Sequence, residues 1–162
     1  MLRLQQSSRF ESLSLPLPLC LPSTNTAIIK FRPGRVGHAC HLPSDTRAML
    51  LSAGIPLELC PTSNVYTLQL ESYREHHFGG FWEAGHPVVL CADDTGVFRV
   101  SLTDEYRHIY SAGFRGLGLQ DLVHLGQAAI EHTFAGEATK SVLRATWERR
   151  MKSLDIKTPS RL

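Results

Sequence analysis

The chain has 162 residues, enough for one ordinary domain with a sizeable core, and its 43% hydrophobic and 20% charged residues are usual for a soluble globular protein. Lys and Arg number 17 against 15 Asp and Glu, a formal charge of +2, too weak a field to draw the chain to nucleic acid or to an anionic membrane. No window approaches the roughly 18 apolar residues of a membrane helix.

Cys20, Cys40, Cys60 and Cys91 show no CxxC pairing, which fits a reducing, cytoplasmic setting better than a disulfide framework. Cys60 and Cys91 lie in apolar runs, where a free thiol behaves as a small hydrophobe.

Residues 1–34 read as a divergent, disordered leader. Pro16, Pro18 and Pro22 interrupt its apolar run and deny it a helix, each removing an N–H and clashing with the preceding turn. A signal peptide needs a continuous apolar segment and a small-residue cleavage site, and neither is clean here. The folded part is expected over residues 35–152, followed by a flexible tail at 153–162.

A short strand is expected at 35–38 after the Pro33-Gly34 turn signal. Ser44 or Asp45 then caps a helix that stops at Gly54. A second strand covers 55–60 and ends at Pro61; its bulk on both faces suits a parallel sheet covered on both sides. A short helix or turn follows at 76–84, and the most apolar run in the chain, 88–92, gives a third strand. Three helices close the chain at 102–112, 119–134 and 140–151. In the second of these, Leu122, Leu125, Ala129 and Ile130 recur at helical spacing and form one buried face. The basic residues between Arg144 and Lys152 are read as a solvated helix face.

Alternating strands and helices imply βαβ units, a parallel sheet and right-handed crossovers. In such sheets chemistry gathers at the C-terminal strand ends. Those ends carry His38, then Glu58 with Pro61 to Asn64, then Asp93 and Asp94. Taken singly, Asp93-Asp94 is more commonly a turn or helix cap, and His38 a satisfied half-buried histidine. His38, Cys40 and His41 do not make a compact metal cluster, because strand alternation sends His38 and His41 to opposite faces. His76-His77 reads as surface or packing, and Phe81, Trp82 and Phe98 as core or pocket wall.

Arg35-Val36-Gly37-His38, Pro56-Leu57-Glu58-Leu59-Cys60-Pro61-Thr62-Ser63-Asn64, and His86-Pro87 leading to Asp93-Asp94 together resemble the adenosine/AMP deaminase family. His76-His77-Phe78-Gly79 and Ser101 to Tyr106 are most similar to the adenosine deaminase-like branch, whose members act on N6-methyl-AMP. The likeness runs from Arg35 to Trp147 in family order. It implies the C-terminal part of a TIM-type (β/α)8 barrel, with about three parallel strands and their helices.

It also implies a hydrolase that deaminates an adenosine-type purine nucleoside or nucleoside monophosphate with one Zn2+. By that resemblance Asp93 is the zinc ligand, Asp94 the purine-binding carboxylate, His38 the catalytic group that orients the zinc-bound water, and Glu58 a supporting residue. Two departures stand out: Ala39 replaces the glycine after the histidine, and Ala92 the threonine before the paired aspartates. The family's His-x-His pair and its His-Ala-Gly-Glu segment do not occur. Catalytic zinc takes about three protein ligands and a water, and a whole barrel takes about 250 residues. A catalytically incomplete chain is therefore expected, as a monomer or joined to another chain that completes the barrel. The alternative is a non-catalytic chain that acts by binding protein or nucleotide.

Overall fold

The computed structural model describes residues 22–156. Three short strands, β1 (Val36–Gly37), β2 (Leu57–Leu59) and β3 (Val88–Leu90), form one parallel sheet in the order β1-β2-β3. Val36 lies beside Leu57, and Leu57 beside Val88. The expected strands are present, each shorter than its apolar run. Among the described residues β1 and β3 are each paired on one side only.

Helix α1 spans Pro22–Phe31, α2 Ser44–Ala53, α3 Pro61–Leu68 and α4 Phe78–Glu83, with a 3-10 turn at Tyr73–Glu75 before α4. Beyond the sheet come α5 (Thr95–Phe98), α6 (Leu102–Ser111), α7 (Leu119–Glu131) and α8 (Glu137–Ser153). The 35–38, 55–60 and 88–92 runs thus become strands joined by helical crossovers, as their composition requires.

Alternation in β2 sends Leu57 and Leu59 into the helix-covered layer, both fully buried. There they meet Leu50 of α2, Phe78 and Phe81 of α4, Ile109 of α6 and Leu125 of α7. α7 packs on β3 with the apolar face that its spacing foretold. At roughly 25 cal/mol per Å2 of apolar surface, this layer is the main force holding the strand ends in register. α8 crosses α7 where Gly126 leaves room for Trp147: a Cβ at Gly126 would come within 2.6 Å of the Trp147 ring.

Element ends follow local chemistry. α2 stops at Gly54, whose φ of 61° is left-handed and suits glycine. Its start differs from expectation: Pro43 takes the cap position and makes no side-chain cap bond. Ser101 and Asp104 form a reciprocal capping box at the start of α6.

Two elements correct the sequence reading. α1 occupies a stretch assigned to the disordered leader: Pro22 stands in its first turn, where a missing N–H is harmless, and Ile29 is buried in the core. Asn25 also donates to the His41 carbonyl at 3.4 Å. Residues 1–21 and 157–162 lie outside the described residues. The other correction is α3, which begins where Pro61 was read as a stop; here Pro61 takes the first helical position. In α8 only Met151 is buried, in line with a solvated basic face, and Arg144 is paired with Glu131 and Glu137.

Candidate active site

The three strands run in the same direction, so their C-terminal ends bring His38, Cys60 and the segment after β3 to one edge of the sheet. His38 Nε2 stands 3.7 Å from Asp93 Oδ2, and both side chains are partly open to solvent. The Cys60 sulfur joins them: one ligand atom from each of His38, Cys60 and Asp93 lies within 4.8 Å of the other two. Among the described residues this is where such donors gather. The sequence brought out His38 and Asp93 for this site but set Cys60 aside as a buried thiol.

β1 ends in an unusual turn. His38 N–H donates to Glu58 O at 2.8 Å, and His38 and Ala39 then adopt φ of 59° and 51°. A left-handed conformation costs a residue with a Cβ about 1–2 kcal/mol. His77 Nε2 holds the turn by donating to the His38 carbonyl at 2.7 Å. Ala39→Gly should therefore raise stability by about 0.5–1 kcal/mol, the strain relieved less the extra freedom glycine has when unfolded. Urea unfolding at neutral pH checks this, and a loss of stability would show that Ala39 bears no strain.

After β2, α3 lifts Thr62 and Asn64 towards the site. Glu105 of α6, fully buried, accepts from Thr62 N at 3.0 Å and from Thr62 Oγ1 at 2.9 Å. This bond satisfies one of the free N–H groups in the first turn of α3. Burial pushes the Glu105 carboxyl up, opposed by the Thr62 bonds.

Asn64 is 1% exposed. Its amide nitrogen lies 2.9 Å from His38 Nδ1 and 3.2 Å from Cys40 Sγ. Its Oδ1 lies 3.1 Å from His76 Nε2. His76 stacks on His77 at 4.2 Å between ring centres. It is buried as packing predicts, yet it also reaches the site through Asn64, and no periodicity in the sequence links positions 38, 64 and 76.

Glu58 faces away from the Leu57–Leu59 layer and pairs with Arg35, Nε to Oε1 at 2.9 Å. The Arg35 guanidinium also lies 4.1 Å from the centre of the Phe134 ring and donates to His132 O at 2.7 Å. Asp94 is exposed, and its Oδ1 caps α5 by accepting from Gly96 N at 2.9 Å and Val97 N at 3.2 Å. Asp93 Oδ1 accepts from Asp94 N at 2.8 Å. The cap that this pair of residues could form by themselves is thus real at Asp94, and it sets the angle at which the chain leaves Asp93.

The donor types suit zinc, which takes nitrogen, thiolate and carboxylate ligands. Cys60, however, is held in its protonated form, first by its hydrogen bond to Cys91 and then by burial. The carboxylate of Asp93 is the donor ready for an ion; the thiol must first lose its proton.

A three-stranded parallel sheet with helical crossovers and a polar cluster at its C-terminal edge is part of a TIM-type barrel. The chain belongs to the adenosine deaminase family: the family model described as adenosine deaminase matches residues 19–148, which includes α1. The N6-mAMP deaminase of Arabidopsis thaliana is 41% identical over 125 residues, covering 76% of this chain and 34% of the relative. Human N6-methyl-AMP deaminase is 36% identical over 126 residues, 74% of this chain and 35% of its own length. The chain thus spans about a third of the curated relatives it matches. The crystal structure of Arabidopsis ADAL complexed with IMP superposes with a TM-score of 0.76 at 36% identity, covering 83% of this chain and 39% of that one.

Proposed function

We propose that this chain carries the C-terminal part of the catalytic centre of a zinc-dependent deaminase acting on a purine nucleoside monophosphate of the N6-methyl-AMP type. The observation that supports this most is the approach of His38 Nε2 to Asp93 Oδ2 at 3.7 Å across two strand intervals. Relatives named for N6-methyl-AMP deamination, and a similar structure solved with IMP, favour the monophosphate as substrate.

In this reading Asp93 would hold the zinc, which when bound would supply an activated water. His38 would direct its Nε2 to the place of that water, where an imidazole suits proton traffic. Asp94, already fixed as a helix cap, presents its carboxylate to the purine edge. Glu58 is fixed by Arg35 and supports the floor of the site. The remaining metal ligands and the purine-protonating acid belong to family segments that do not occur in this sequence. The enzyme is placed in the reducing cytoplasm.

The test is complementation. The purified chain alone is expected to bind zinc well below one equivalent and to leave N6-methyl-AMP unchanged. Co-expression with the part of the Arabidopsis N6-mAMP deaminase that precedes its matched stretch is expected to restore both zinc and turnover. If the chain assembles with that part and binds zinc without releasing methylamine, the non-catalytic alternative holds.

A further inference from the structure

We infer that Asn64 and His76 are positioning residues that fix His38 as the tautomer protonated at Nε2, making it a hydrogen-bond donor towards Asp93 and not a metal ligand. One group in this set of contacts has a fixed role. The backbone N–H of Phe78 can only donate, and it points at His76 Nδ1 from 2.9 Å. His76 Nδ1 must therefore be the bare nitrogen, and in a neutral ring the proton then sits on Nε2. That N–H faces Asn64, 3.1 Å away, so Asn64 turns its carbonyl oxygen to His76.

The amide nitrogen of Asn64 is then committed to the other side, where it meets His38 Nδ1 at 2.9 Å and Cys40 Sγ at 3.2 Å. Both of its protons have acceptors. His38 Nδ1 receives one, must be bare, and leaves its proton on Nε2, the nitrogen 3.7 Å from Asp93.

The opposite arrangement fails at its far end. If Asn64 were flipped so that His38 carried its proton on Nδ1, the amide N–H would face His76 Nε2. His76 would then need lone pairs on both nitrogens, since Phe78 still donates to Nδ1. A neutral imidazole has only one. Burial excludes water as an escape, because Asn64 and His76 are 1% and 2% exposed. An unpaired donor or acceptor there costs about 1–3 kcal/mol.

The consequence rests on the proposed deaminase reading: a His38 protonated at Nε2 would offer a hydrogen bond beside the metal position at Asp93, while a bare Nε2 would be free to bind the ion. A hydrogen bond to the far ring nitrogen commonly fixes the tautomer of an active-site histidine.

The assignment can be read without substrate or turnover. In the uniformly 15N-labelled chain at mildly alkaline pH, long-range 1H–15N correlation spectra should place His38 Nδ1 in the pyridine-type range and Nε2 in the pyrrole-type range. Asn64→Asp replaces the donor by an acceptor for both imidazoles and should move the His38 proton to Nδ1. In the labelled chain assembled with the preceding Arabidopsis segment, added zinc chloride should leave the Nε2 signal pyrrole-type. A bare Nε2 in the wild-type spectrum, averaging between the two forms, or a metal-shifted Nε2 overturns the assignment. A folded Asn64→Asp chain with an unchanged His38 also overturns it. If Asn64→Asp does not fold, the wild-type spectrum decides alone. A correct tautomer together with an assembled but inactive barrel refutes the deaminase reading and leaves this assignment standing.

Discussion

In a barrel completed by the Arabidopsis segment, Asp93→Ala is expected to remove bound zinc and lower kcat by well over 100-fold. The size follows from position. Losing a residue that only supports a metal ligand costs about 10–100-fold, and Asp93 is proposed to touch the ion itself. His38→Ala should behave differently: a fall in kcat of about 100- to 10,000-fold with zinc retained, because a proton-passing group and not a ligand has gone. Zinc content by atomic emission and methylamine release, measured on the same preparations, separate the two. Zinc lost in both variants would make His38 a ligand after all, and zinc kept in Asp93→Ala would remove Asp93 from the metal.

The second large effect is a loss of stability in acid. Burial, helped by the neighbouring His77, lowers the His76 pKa from its usual 6.5 to about 3. A histidine whose folded value is depressed favours the fold above its unfolded value, and that contribution is lost as pH falls from about 6.5 towards 3. Each unit is worth about 1.4 kcal/mol, so His76 alone should remove about 2 kcal/mol between neutrality and pH 5. Burial also lowers His77, His86 and His132, and these add losses of the same sign. Urea unfolding at pH 7.5 and pH 5 measures the sum. His76→Gln keeps an N–H for Asn64 but cannot titrate, so it should reduce the difference by about the His76 share. An equal difference in both proteins would place the acid sensitivity elsewhere.

The sequence made the sheet legible because its strands are dense apolar runs between turn residues, and burial on both faces needs no alternation to be recognised. Leu119 to Ile130 was equally plain, since one helical face carries its apolar residues. α1 was hidden because Ser23, Thr24, Asn25 and Thr26 are poor helix formers; what holds α1 is its tertiary contact with α2. α3 was hidden because proline signals a stop before a strand's end and a start at a helix's first turn, and only the neighbouring Glu105 decides between them.

At the site, Asp93 and His38 stood out through the family resemblance, and the geometry brings them together. Cys60, Asn64 and His76 could not be assigned from pattern. Their roles come from distances between residues 12 to 33 positions apart in the chain, which neither helical nor strand periodicity encodes.

The sheet's arrangement has a consequence for how firmly each part is anchored. β2 has a neighbour on either side, so its peptide groups are engaged in both directions, while β1 and β3 each turn one row of N–H and C=O groups outward among the described residues. The amide protons of β2 are therefore expected to exchange more slowly than those of β1 and β3, and the two borders offer edges that further strands could pair. Because His38 and Asp93 follow those border strands, a chain that paired there would steady both sides of the proposed site.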